Sequence, residues 1–175
     1  MKKIMIILMI LILTGCSFSN KKTSNNNSNG SIKSSDNLEN KSGILVCTRG
    51  ASAEGDIIPE FSYTLNYENG YILKLHSIEK VSSESGNGLK EYEDAYNTIN
   101  EAYKKLDYYE SKVIVTDNSV ARDTTINYEK IDIEALLAIE GREDNIIDDN
   151  NKATIDKWLE LGKKIGMICN ESGKI

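Results

Sequence analysis

The chain is poor in the residues around which many catalytic centres are built. Its 175 residues include one histidine, one tryptophan, one proline, two phenylalanines and three cysteines. A single imidazole, His76, excludes any metal centre that needs several. Three cysteines without a Cys-x-x-Cys pair exclude a thioredoxin-type redox centre and argue against structural zinc. No P-loop, Gly-x-Ser-x-Gly, His-Glu-x-x-His or dinucleotide fingerprint occurs. Basic side chains are outnumbered, 21 to 27, and no basic stripe marks a nucleic-acid face. No metal, cofactor or nucleic acid is predicted. The longest apolar run, Ile4 to Leu13, is ten residues, about half of the ~20 that a helix needs to cross a bilayer core.

That short run follows Met1-Lys2-Lys3 and ends in Leu13-Thr14-Gly15-Cys16. A positive start, a brief apolar core and small residues at its end describe a secretory signal over residues 1–15. Leu-x-Gly-Cys resembles the lipobox of bacterial lipoproteins. There the cysteine sulfur receives a diacylglycerol and the chain is cut just before it, a reaction that needs a thiol as nucleophile. The plainer alternative is an ordinary secretory signal with a cysteine beside it. Two acyl chains on Cys16 give stable anchoring where one gives only marginal binding. The expected partner is therefore the membrane, reached through lipid, with the protein facing outside the cytoplasm.

Residues 16–42 continue as Ser, Asn and Lys with few apolar side chains, a composition that cannot bury enough surface to fold. As a random coil this tether reaches roughly 25–30 Å. Losing Lys2 and Lys3 with the leader leaves 19 basic against 27 acidic side chains, a mature net charge of −8. Gly43 to Ile175 then form one domain of ordinary size.

With Cys16 lipidated, Cys47 and Cys169 remain. An even pair in an exported chain predicts a disulfide joining the two ends of the domain, with Cα atoms ~4.4–6.8 Å apart. Two unpaired buried thiols are the alternative. The bridge requires "GMICNES" to return as an extended edge piece beside the first strand.

Along the domain, "GILVCTRG" reads as a strand. Phe61, Tyr63, Leu65 and Tyr67 alternate with polar residues, the period of a half-buried strand. Asn69-Gly70 signals a hairpin. A three-residue loop, Glu68-Asn69-Gly70 with a bulge at Gly70, pairs Leu65 with Leu73 and Tyr63 with Leu75 and keeps apolar residues on one face. Leu89, Tyr92, Tyr96, Ile99, Tyr103 and Leu106 recur at helical spacing, and tyrosines in such a stripe read as core rather than sugar-stacking platforms. Val113 and Val115, a turn at Asp117-Asn118, then Val120, Thr124, Ile126 and Tyr128 give a second hairpin. Asp132 and Gly141 bracket a helix over "IEALLAIE", and "KATIDKWLELGKKIG" gives another. Strands, helix, strands, helices imply an α+β fold, an antiparallel sheet of hairpins with about three helices on one face.

The segments "CTRGAS", "HSIEKV", "EAYKKLDYY", "INYEKIDIEALLAIEG" and "WLELGKKIGMIC" resemble the YehR-like family of small bacterial lipoproteins, over Cys47 to Cys169. The resemblance implies a lipobox, an α+β fold and an extracytoplasmic location. The family is defined by a domain of unknown function, so it implies no catalytic residues. Scarce proline with abundant Ile, Lys and Asn points to an AT-rich Gram-positive genome.

Two constellations could carry chemistry. His76 could pair with Cys47 on a neighbouring strand, with Glu79 orienting the ring. Alternation instead places His76 on the polar face, opposite Leu73 and Leu75. The acidic loop "EGREDNIIDDNN" offers Glu140, Glu143, Asp144, Asp148 and Asp149 to Ca²⁺. The EF-hand pattern fails there at Lys152, and the loop also reads as a solvated segment feeding a helix N-terminus. The leading functional expectation is a lipid-anchored binding or envelope-maintenance module. The alternative is a carboxylate-dependent enzyme acting on cell-envelope material. A deep pocket with convergent carboxylates on the free sheet face would mark the enzyme, a shallow face the binding module.

Overall fold

In the computed structural model, residues 41–50, 55–143 and 145–172 are described. The leader at 1–15, Cys16 and the tether up to residue 40 lie outside them. Three strands open the fold as a meander: β1 (Ser42–Arg49), β2 (Ile57–Glu68) and β3 (Tyr71–Ser83). Helix α1 (Leu89–Tyr103) crosses to a hairpin, β4 (Tyr109–Thr116) and β5 (Ser119–Asn127). Helices α2 (Ile133–Glu140) and α3 (Ile155–Lys164) lead back to β6 (Ile168–Glu171). The six-stranded sheet has the order β4-β5-β3-β2-β1-β6, with every pairing antiparallel. This is the expected α+β architecture.

Local signals explain most boundaries. Asp132 accepts a hydrogen bond from the Ala135 amide at the start of α2, and Gly141 closes that helix at φ 85°. A free N–H is satisfied at one end, and a left-handed residue is tolerated at the other. The second hairpin turns at Asp117-Asn118, with Thr116 opposite Ser119. The one proline, Pro59, lies within β2 opposite Val81. There β1 has already ended, since its last pair is Arg49 with Phe61. Pro59 therefore sits on a locally open edge, where a missing N–H is tolerated.

The first hairpin corrects the expected register. Its loop has two residues, Asn69 at φ 49° and Gly70 at φ 80°, the paired positive angles of a type I′ turn. Glu68 faces Tyr71 and Tyr67 faces Ile72. An irregularity then follows between Tyr67 and Asn66, and beyond it Leu65 faces Leu75 and Tyr63 faces Ser77. The extra residue is Leu73, not Gly70. A tight I′ turn suits the strand twist, and a one-residue bulge shifts the side-chain parity so that Leu65, Tyr67, Ile72 and Leu75 share the core. The burial argument was sound, but the device achieving it lies three residues further on.

Inward positions of the sheet are Leu45, Cys47, Leu65, Tyr67, Leu75, Val81, Val120 and Ile126, all buried. Against them α1 lays its stripe, with Leu89, Tyr96, Ile99 and Tyr103 buried. The tyrosine stripe is core: Tyr96 is 1% exposed. Gly43 faces Tyr67 across the strand pair, and a Cβ there would stand 3.4 Å from the phenol oxygen. Helices α2 and α3 cover the same face: Tyr103 donates to Glu140 of α2, and Trp158 of α3 meets the Tyr63 ring edge-on. No helix among the described residues covers the other face, the bare face of the sheet. Among the described residues, no helix is long and apolar enough to cross a membrane.

Candidate functional site

The paired cysteines come together at the edge of the sheet. Strand β6 lies beside β1 with Cys169 directly opposite Cys47, and the two are joined as a disulfide, Cα atoms 4.0 Å apart. This spacing is tighter than the expected window, because the bridge joins directly opposed strand neighbours. Both residues are buried, so Cys47 offers no nucleophile.

His76 projects from the bare face of β3. Its Nε2 lies 2.9 Å from Asp123 Oδ1, and Lys112 Nζ is 3.2 Å from the other carboxylate oxygen. The hydrogen bond from His76 and the lysine charge hold the Asp123 carboxyl below its usual range, against a smaller desolvation effect. The proposed orienting residue, Glu79, is on the opposite face. His76 is therefore a strand histidine in an exposed charge network, and Cys47 and Glu79 are not its partners.

Glu79 instead builds a polar layer inside the fold. It sits directly across from Arg122 in the β3–β5 pairing, with Arg122 Nη2 3.2 Å from Glu79 Oε2. The Tyr63 hydroxyl donates to Glu79 at 3.4 Å. The Arg122 guanidinium stands 5.8 Å from the Tyr96 ring centroid. Its Nε and Nη1, and Nε1 of Trp158, are buried without a hydrogen-bond partner in the described protein. Desolvation works against the Arg122 charge, but Glu79 and the surrounding phenols hold it protonated. Burial raises the phenol pKa of Tyr63, Tyr96, Tyr103 and Tyr128. It pushes Tyr109 up to about 12, with Arg122 opposing. All of these phenols stay protonated at neutral pH, so none serves as a base.

Glu140 belongs to the same interior. Tyr103 donates to one of its oxygens at 3.1 Å and Asn145 to the other at 2.8 Å. Burial raises its carboxyl above the usual range in spite of those bonds. It has thus left the acidic loop. Asp148 closes that loop on itself, accepting from the Asn150 and Lys152 amides at 2.9 Å each. Asp144 lies outside the described residues. Among the described residues, no group of three His, Cys, Asp or Glu side chains is placed to hold a metal ion.

The bare face carries an open depression of about 400 Å³ where β1 ends. Thr48 and Arg49 border it from β1, Glu60, Phe61 and Ser62 from β2, and Ile78 and Lys80 from β3. Glu60 is ion-paired to Lys80 at 3.2 Å on this face, whereas Arg49 and Phe61, directly opposite each other, belong by register to the helix-covered face with Cys47, Tyr63 and Glu79, the guanidinium 5.7 Å from the ring centroid. Most of the lining surface is apolar, as in sites for small organic ligands. Its one carboxylate is already engaged. Sequence reasoning named Phe61 only in the alternation of β2 and did not single out Arg49, Glu60 or Ile78, although strand alternation places Glu60, Ser62, Ile78 and Lys80 on a common face.

No protein-family description matches the chain, and no curated protein matches it. Among solved structures, it is similar to the NMR structure of the E. coli YehR protein, with a TM-score of 0.54 and 20% identity over 77% of this chain and 94% of that one. It is also similar to an NMR structure of a protein from Streptococcus pneumoniae TIGR4, with a TM-score of 0.45 and 15% identity over 90% of this chain and all of that one. At 20% identity the YehR likeness establishes a shared fold.

Proposed function

We propose that this chain is a lipid-anchored, extracytoplasmic binding or envelope-maintenance lipoprotein of the YehR-like kind, which presents its bare sheet face to a ligand. The observation that carries the binding reading is the depression on that face. It is shallow and largely apolar, and its single carboxylate, Glu60, is held by Lys80. Carboxylate catalysis needs two free carboxyl groups converging on one bond. Asp123, elsewhere on the same face, is likewise engaged, by His76 and Lys112.

Anchoring rests on the Leu13-Thr14-Gly15-Cys16 box and on the lack of a longer apolar run. The test is membrane fractionation of the full chain with a carbonate wash. Wild type should stay with the membrane and carry a diacylglyceryl mass on Cys16. Cys16→Ala should be unlipidated and washed free, and its retention after the wash would overturn the anchor.

A further inference from the structure

We infer that two copies of this chain pair edge to edge through β4, antiparallel about a two-fold axis at Ser111, so that the second copy continues the six-stranded sheet. The inference goes beyond the binding reading of the bare face and does not depend on it. Three observations converge on it.

The first is the edge itself. Strand β4 ends the sheet, and among the described residues no strand pairs with its outer side. Sheet edges are ordinarily blunted by short length, proline or a bulge. The other edge follows that rule, since β6 has four residues. Strand β4 has eight, without proline or glycine. Its register against β5 runs unbroken from Tyr109 with Ile126 to Thr116 with Ser119.

The second is the phase of its free hydrogen-bonding groups. One step outside the Tyr109–Ile126 pair, the Asn127 amide donates to the Tyr108 carbonyl at 3.0 Å. Bonded and non-bonded pairs alternate along an antiparallel ladder. Glu110, Lys112, Ile114 and Thr116 therefore bond to β5, and Tyr109, Ser111, Val113 and Val115 turn their amides and carbonyls outward. A second β4 meets these groups when odd-numbered positions face one another.

The third is charge, which selects the register. Glu110 and Lys112 are both exposed. Lys112 Nζ lies 3.2 Å from Asp123 on the bare face, and Glu110 is in no ion pair among the described residues. With Ser111 opposite Ser111 of the second copy, Tyr109 faces Val113 in a bonded pair. Glu110 then faces Lys112 on both sides of the axis, in non-bonded pairs, where side chains stand closer. Each lysine lies between Asp123 of its own chain and Glu110 of the other. An axis at Glu110 or Lys112 sets like charges together, and an axis at Val113 gives Glu110 only Thr116. One step outside residues 109–113, Tyr108 comes opposite Ile114, two apolar side chains that are 51% and 44% exposed. These are matches of β4 with itself, so the occupant of the edge is a second copy. A single strand pairing belongs with the small interfaces, under about 1,200 Å², which makes the dimer reversible.

The test is sedimentation equilibrium of the full chain in density-matched detergent. Wild type should show reversible association to a dimer. Glu110→Lys or Lys112→Glu sets like charges together on both sides of the axis and should weaken association about tenfold or more. An equimolar mixture of the two variants restores opposite charges at both pairs and should recover dimer as the heterodimer. Ser111→Cys should form a cross-linked dimer on oxidation, because the axis brings the two positions within disulfide reach. Val113→Cys should not, since its two copies lie about 13 Å apart along the ladder.

Wild type that stays monomeric at millimolar concentration would overturn the pairing. So would charge reversals that leave association unchanged, a mixture no better than either variant alone, or cross-linking at Val113 in place of Ser111. The Ser111 hydroxyl bonds to Asn100 and Thr124 at 2.8 Å each. Should Ser111→Cys fail to fold, the charge mixture still decides, because Glu110 and Lys112 are exposed.

Discussion

Removing the Cys47–Cys169 bridge is the sharpest test of how this domain is held together. The bond spans 122 residues of sequence. Closing a loop of that length restricts the unfolded chain by about 5 kcal/mol in the chain-entropy account, the top of the ~2–5 kcal/mol range seen when small secreted domains lose a native bridge. The folded side adds a local effect. Strand β6 has four residues and pairs only with β1, at the sheet edge. Without the bridge it keeps the Ser172 amide bond to the Ile44 carbonyl at 2.8 Å and the Tyr67 hydroxyl bond to Glu171 at 3.0 Å. Urea unfolding of oxidised and reduced wild type, followed by circular dichroism, isolates the cross-link. Cys47→Ala/Cys169→Ala adds the loss of two buried sulfurs. Reduction should lower stability by about 2–5 kcal/mol and steepen the denaturant dependence, because the freed chain exposes more surface. Hydrogen exchange should show β6 amides losing protection before those of β2 and β3. A change under about 1 kcal/mol, far below that range, would refute the reasoning. So would two alkylated thiols in the unreduced exported protein.

The interior polar layer gives two further predictions. Arg122→Met strands Glu79 in a mostly buried position and should lower stability by about 3–5 kcal/mol, while Arg122→Met/Glu79→Leu recovers much of it; urea unfolding of the two variants checks this, and a double variant no better than the single would remove the pair from the account. Burial raises the Glu140 carboxyl in the fold, so its contribution is fully present below the ordinary carboxylate pKa and is lost as pH rises through its folded value. Glu140→Gln should therefore flatten the fall in stability above that range, as measured by unfolding midpoints across pH, and an unchanged pH profile would contradict the assignment.

Much of the fold was legible because its determinants are local. Alternation along β2 and β5, the helical stripe from Leu89 to Tyr103, the cap at Asp132 and the left-handed Gly141 each depend on residues a few positions apart. The Asp117-Asn118 turn followed in the same way, whereas the edge position of "GMICNES" followed from the expected bridge between Cys47 and Cys169. The sequence reading passed over Arg122, although it has the same parity as Val120 and Thr124 and lies buried with them. The first hairpin shows where local reasoning stops. Type I′ geometry and a core-facing register conflict by one residue, and the conflict could be relieved at Gly70 or at Leu73. Only the packing of Ile72 and Leu75 beneath the helices chose Leu73.

The chemistry-bearing pairs were a tertiary matter throughout. Glu79 meets Arg122, and His76 meets Asp123, because β5 passes back beside β3 after α1 and β4 have intervened. A strand pairing over more than forty residues leaves no periodic trace in either segment. The depression is likewise assembled from the end of β1 and the interiors of β2 and β3. By itself the sequence determined which face of each element is apolar, since that follows from side-chain spacing. It also carried the lipobox reading of Cys16 as an expectation. The tertiary structure decided which polar groups share a face, and so which charges neutralise one another. Charge compensation depends on distances that only long-range strand order sets.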